Sequence, residues 1–282
     1  VVRREDTRES LKEKVRTAAI LGTFQSTLTE FKYLSREWKK NCDEERLLGV
    51  SLTGIMDNPL TNGSKKGLDK LLEELRDIAY ETNKEWADKL GIPVSAAITC
   101  VKPSGTVSQL VDSASGIHAR HNPHYIRTVR ADNKDPLCKL MQDMGFPNEV
   151  DVTKPEHTTV FSFPMKTPKG AICRMDMTAL EQLELWKVYA ESWCEHKPSV
   201  TISVKEDEWV EVAAWVYDHF DSISGISFLP FSEHVYRQAP YQDCTEEEYK
   251  EALKTMPKNV DWAELSKYES QDYTIASQEL AC

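Results

Sequence analysis

Short apolar runs alternate with longer segments of helical period along most of the chain. That alternation limits the fold more than any other feature. Residues 47–55, 96–101, 158–165, 198–204 and 225–229 are short and apolar, and 198–204 is the richest in β-branched side chains. Residues 47–55 begin almost continuously apolar, as a strand buried on both faces does. Residues 68–90 are amphipathic and stop at Gly91, a good helix terminator. Thr178 and Glu181 have capping-box spacing for a helix reaching about Cys194, and 209–220 read as another helix. Strands alternating with helices predict an α/β fold around a mostly parallel sheet or barrel.

The remaining segments fill in that frame. Asp6 and Glu9 suggest a capping box opening a helix to about Tyr33, with Leu11, Val15, Ala18, Ala19, Leu21 and Leu28 as its apolar stripe. Residues 57–67 carry Asn, Pro and Gly and read as a loop. Residues 124–130 alternate as a strand, and Asp135 with Pro136 starts a helix ending near Gly145. Thr245 and Glu248 cap a helix to about Met256, and 261–268 add a last helical turn or two. From Ser270 the composition turns polar, as expected of a mobile tail. No boundary is evident before about residue 240. The expected division is therefore 1–240 as one α/β body and 241–282 as a helical extension with its tail.

Net charge is −11, which argues against non-specific binding to a nucleic-acid backbone. No run approaches the ~20 apolar residues of a membrane span, and no secretory signal opens the chain. The cysteines show neither paired nor zinc-type spacing, so reduced thiols in a cytoplasmic setting are expected. A start at Val1 and an end at Cys282 suggest a piece of something longer.

The chemistry centres on residues 98–110. An apolar run enters a tight turn, Pro103, Ser104, Gly105 and Thr106, and an apolar-periodic segment leaves it. Such a turn at a strand's carboxyl end offers free N–H groups and hydroxyls, with Lys102 beside them, as a phosphate cradle requires. An ordinary strand-to-helix turn with a Ser or Thr cap fits the same residues. His118, Arg120 and His121 follow Gly116; they fit an anion-binding loop or, the commoner role, caps on neighbouring carbonyls. Arg127 and Arg130 offer one further guanidinium for a phosphate and one for an ion pair. Cys194 and His196, with Cys173 or His157, match no metal spacing; Cys194 reads as a core thiol and Cys42 as an inert one. Trp186, Tyr189 and Trp193 recur at helical spacing and read as packing, and 43–45 as a solvated charge run. No set of residues suited to nucleophilic or acid–base catalysis stands out. The residues alone reach an α/β protein for a nucleotide or phosphate ligand.

Cys100–Thr106, followed by 113–121 and 125–130, resembles the adenosylcobalamin-dependent (class II) ribonucleotide reductases, closest to the monomeric type that reduces ribonucleoside triphosphates. Residues 49–54, 193–203 and 278–282 fit the same family in order. The resemblance implies a ten-stranded α/β barrel of two parallel halves, of which this chain would hold the second, carboxyl-terminal half. It implies that Pro103, Ser104, Gly105 and Thr106 receive the substrate's phosphates, with Lys102, His118, Arg120 and His121 as further substrate-site candidates. It implies adenosylcobalamin as cofactor and replacement of the ribose 2′-hydroxyl by hydrogen through a thiyl radical.

The family's Asn-Pro-Cys-Gly-Glu radical loop is not found in this sequence. It is expected upstream of Val1, so no catalytic residue and no metal ligand is assigned here. Cys282 resembles one of the two tail cysteines that carry reducing equivalents from thioredoxin or a similar dithiol. A nucleotide-binding or regulatory half-barrel without chemistry is the alternative, and an unrelated phosphate-ligand enzyme a third. The upstream sequence discriminates between the first two.

Overall fold

The computed structural model describes residues 1–231 and 236–269. The chain forms two compact units, each built from separate stretches: residues 1–120 with 168–231, and residues 121–167 with 232–282. The expected division at 240/241 does not coincide with any of these junctions.

In the first unit, α1 (Arg8–Gln25) and α2 (Arg36–Glu45) lead into β1 (Val50–Ser51). Helix α3 (Leu68–Leu90), β2 (Thr99–Cys100) and the single turn α4 (Val107–Leu110) follow. The chain then enters the second unit with β3 (His124–Asp132), α5 (Pro136–Asp143), β4 (Asn148–Val150) and β5 (Thr158–Lys166). It returns to the first unit for α6 (Ala179–Ser192), β6 (Val200–Val204), α7 (Trp209–Asp218) and β7 (Ile226–Pro230). It ends in the second with β8 (Tyr241–Asp243), α8 (Glu246–Thr255) and α9 (Ser266–Glu269).

The mixed α/β class holds, but among the described residues only the first unit has parallel strands. There β1 pairs with β2, and β6 with β7. Ser199 N–H donates to the Val101 carbonyl (3.2 Å) and links the two pairs. The second unit carries an antiparallel sheet in the order β4-β5-β3-β8. This corrects the expectation of a mostly parallel sheet. Strands β4 and β8 are three residues each, too short to leave a period in the sequence.

Three helical expectations also shift. Helix α1 ends at Gln25 and not at Tyr33, because the Ser26 and Thr27 hydroxyls bond the Thr23 and Phe24 carbonyls (2.8 and 2.7 Å). Its capping box is Thr7 with Ser10; Asp6 instead accepts from Arg3 N–H, Ser10 and Lys14. The charged segment 36–45 is helical, capped by Ser35 and supported by Lys39–Asp43 and Lys40–Glu44 one turn apart. The helix leaving the 103–106 turn is only α4, since Val107 and Leu110 are exposed and have no core to dock on.

The first unit's core joins α1, α3, α6 and α7 to the parallel strands. Trp186, Tyr189 and Trp193 are fully buried, as their spacing predicts, and their polar atoms are satisfied. Tyr189 Oη donates to Thr61 O (2.8 Å), and Trp193 Nε1 donates to Cys100 O (2.8 Å). Gly54 lies at φ +80°, where a Cβ would stand 2.2 Å from the Val2 carbonyl oxygen. Only glycine lets the chain's first residues lie across the end of β1. Leu75 of α3 is fully buried in this core. Leu75→Ala is expected to cost about 2–5 kcal/mol in urea unfolding.

Candidate functional site

Strand β2 delivers the 102–106 turn and is braced on both sides. On one side it pairs with β1. On the other, Glu195 Oε2 accepts from Ile98 N–H (2.8 Å) and Thr99 N–H (3.2 Å), while Glu195 and His196 donate their N–H groups to Thr99 O (3.0 Å each). The root of the turn is therefore fixed by two segments of the first unit, β1 and residues 195–196.

The turn itself is held by a second loop, 112–118. Ser115 Oγ accepts the Ser104 N–H (2.8 Å) and donates to the Ser104 carbonyl (3.1 Å). Ser104 Oγ accepts the Ser108 N–H (3.0 Å), so Ser104 caps the short helical turn. Gly116, at φ +53°, lets this loop lie against residue 102; a Cβ there would stand 3.3 Å from Lys102 O.

The N–H groups of Gly105, Thr106 and Val107 have no acceptor among the described residues. Gly105, Thr106 and Val107 are exposed, and a Cβ added to Gly105 would meet nothing within 4 Å. Neither backbone conformation nor protein packing calls for glycine at 105. Lys102 Nζ donates to Lys197 O (2.5 Å) and Ser199 Oγ (3.0 Å), and no carboxylate pairs with it among the described residues. Consecutive free N–H groups are suited to an oxyanion. Helix α4 is one turn long, so its dipole adds little and the donors themselves carry the attraction.

The neighbouring candidates do not converge on this turn. His118 Nδ1–H donates to Ser115 O (2.9 Å) and Nε2 accepts from Thr201 N–H (3.0 Å), which occupies both ring nitrogens. Arg120 is buried: Nε and Nη2 bond the two Asp57 oxygens (2.9 Å each), and Nη1 bonds Asp112 (2.8 Å). Burial alone would lower its pKa, but hydrogen bonds to the two carboxylates outweigh that and hold it charged. Arg120 thus forms an internal ion pair with Asp57 and Asp112. His121 begins the second unit, where its ring bonds Asp243 (2.6 Å) and stacks on Tyr241. Three neighbouring candidates thus have separate partners: Thr201 and Ser115 for His118, Asp57 and Asp112 for Arg120, and Asp243 for His121.

The second unit also occupies Arg127 and Arg130. Arg127 donates to Pro240 O (2.9 Å) and lies over the Tyr241 ring; Arg130 pairs with buried Asp151 (2.6 Å). Cys194 is partly buried in the first unit's core, and burial with neighbouring Cys100 pushes its thiol up to about 12. His196 bonds the Leu48 carbonyl (2.6 Å). Cys282 lies outside the described residues. The sequence reading missed Ser115, Glu195 and Asp57. Each is a polar residue whose partners lie far along the chain, which sequence alone does not separate from solvated residues.

No family model matches the chain. Among curated proteins it is 28% identical over 257 residues to an adenosylcobalamin-dependent ribonucleoside-triphosphate reductase of Euglena gracilis, covering 90% of this chain and 35% of that protein. It is 28% identical to a probable reductase of the same name from Dictyostelium discoideum, covering 92% and 34%. The Lactobacillus gasseri reductase is 26% identical, covering 79% and 34%. The chain spans about a third of the length of these curated relatives. A crystal structure of a B12-dependent class II ribonucleotide reductase matches the fold with a TM-score of 0.79 at 22% identity, covering 94% of this chain and 40% of that one.

Burial lowers the His118 pKa from the ordinary 6.5, against the opposing pull of the Ser115 carbonyl. The unfolded chain therefore takes up this proton first as pH falls. Stability from this group is full above about 6.5 and declines below it, toward the folded-state pKa. His118→Asn is expected to lose less stability than the parent between about pH 7.5 and about pH 5.5 in urea unfolding, and an equal loss would contradict this.

Proposed function

We propose that this relative of the adenosylcobalamin-dependent ribonucleoside-triphosphate reductases carries the loop that holds the substrate's phosphates in an enzyme reducing ribonucleotides to deoxyribonucleotides. Pro103, Ser104, Gly105 and Thr106 form that loop, and Lys102 adds positive charge at its root. The observation that carries the reading is the run of unpaired N–H groups at Gly105, Thr106 and Val107, with open space over Gly105. By kinship the substrate is a triphosphate. His118 and Arg120 act by shaping the loops, and His121 belongs to the second unit's own packing.

The same reading makes the parallel strands of the first unit part of the carboxyl-terminal half of a ten-stranded barrel, and gives Cys282 to a redox tail. Two linked parallel strand pairs support it. So does the edge of β1 away from β2, which among the described residues is unpaired. That edge lines an apolar groove of about 790 Å³ with Leu21, Leu28, Trp38 and Leu47, as an incomplete sheet would expose.

Adenosylcobalamin supplies radical initiation to the complete enzyme. Among the described residues no group of three or more His, Cys, Asp or Glu side chains is placed to hold a metal ion. The radical cysteine belongs to the rest of the protein, and this chain binds and orients the nucleotide. The described cysteines are free thiols and no described helix is long and apolar enough to cross a membrane, in keeping with a cytoplasmic enzyme.

In the complete reductase, Gly105→Val fills the space over the loop and is expected to weaken nucleotide binding at least ~10-fold. Unchanged affinity in equilibrium binding would remove the phosphate role. Cys282, as the proposed shuttle thiol for thioredoxin or a similar dithiol protein, has a separate test. Cys282→Ser is expected to abolish thioredoxin-driven turnover and to spare turnover driven by a small dithiol. Equal loss with both reductants argues against a shuttle.

A further inference from the structure

We propose that Ser115 and His118 are positioning residues for the phosphate loop: a hydrogen-bonded relay from strand β6 holds the loop's backbone, and neither side chain touches substrate. The inference rests on the phosphate reading of residues 103–106.

The relay is continuous in the first unit. Thr201 N–H in β6 donates to His118 Nε2 (3.0 Å). An acceptor at Nε2 leaves the ring proton on Nδ1, which donates to Ser115 O (2.9 Å). The backbone N–H of His118 donates to the same carbonyl (2.9 Å). Ser115 Oγ then grips both backbone polar groups of Ser104 (2.8 and 3.1 Å), and Ser104 Oγ caps Ser108 (3.0 Å). A side-chain hydroxyl that accepts from and donates to one residue's backbone replaces the strand partner that Ser104 lacks. It leaves the next N–H groups, those of Gly105, Thr106 and Val107, unpaired and fixed in place.

The relay has little slack. Gly116, directly after Ser115, is at φ +53° and would place a Cβ 3.3 Å from Lys102 O and 3.4 Å from Val101 Cγ1. Gly116 N–H bonds Thr53 Oγ1 (3.3 Å), and Thr53 Oγ1 bonds Ala114 O (2.9 Å). The segment carrying Ser115 is thus pinned on both sides of the serine. His118 is partly buried.

The test uses the complete reductase, with CTP and cytidine as probes. The loop acts on phosphate alone, so Ser115→Ala is expected to weaken CTP binding about tenfold and leave cytidine binding unchanged. In the same variant the Ser104 amide is expected to exchange with water faster, since Ser115 Oγ is its acceptor. His118→Phe keeps a ring and removes both ring hydrogen bonds. It gives the same pattern at smaller amplitude, and serves if Ser115→Ala does not fold. Unchanged CTP affinity in both variants, alongside a loss in Gly105→Val, overturns the relay and spares the phosphate reading. No loss in any of the three overturns both. Parallel losses for CTP and cytidine mean general damage to the fold and also overturn the positioning role.

Discussion

The buried pair of Arg120 and Asp57 holds together the segments on which the candidate site is built. Both side chains are almost wholly out of water, at 4% and 3% exposure. Two bonds between guanidinium and carboxylate, each 2.9 Å, satisfy most of the charge that burial would otherwise strand. Asp57 also accepts the Ala114 N–H (3.0 Å). Arg120 exchanges backbone bonds with Ile172 O and Arg174 N–H. The segment after β1, the loop behind the 103–106 turn and the approach to α6 therefore meet at one ion pair. Such a pair adds little net stability over an apolar substitute, yet losing one partner costs about 3–5 kcal/mol. Its value here is registry: an off-target packing would strand a charge.

The fold's outline was legible because its large elements have strong periods. Helix α3 and helix α6 sit where their apolar stripes and caps put them, with Thr178 and Glu181 closing the expected box. Strands β3, β5 and β6 lie over the alternating or β-branched runs that predict them. What the sequence hid depends on partners distant in the chain. Strand β8 is three residues long and exists because β3 is there to pair with. Helix α2 has no buried residue and rests on a serine cap and charge pairs, which read equally well as a solvated loop.

The candidate site was half legible for the same reason. Residues 103–106 announce a turn through Pro, Ser and Gly, and a turn is a local matter. The directions of His118, Arg120 and His121 are not local. A histidine with both nitrogens bonded inside the protein and one facing a ligand look alike in a sequence. The deciding groups, Thr201 for His118 and Asp57 for Arg120, lie far away along the chain.

The interleaving of the two units governs how the chain acquires its structure. Each unit leaves and re-enters the other's sequence, so no single cut releases either one whole. As the chain is synthesised, β3 and β5 are complete well before residues 241–243 exist. Until then one side of β3 at Tyr125–Arg127 is an unsatisfied strand edge, a template for the wrong neighbour. Slow synthesis of the segment between β5 and β8 therefore lengthens a vulnerable interval, in which the open edge of β3 competes for the wrong strand.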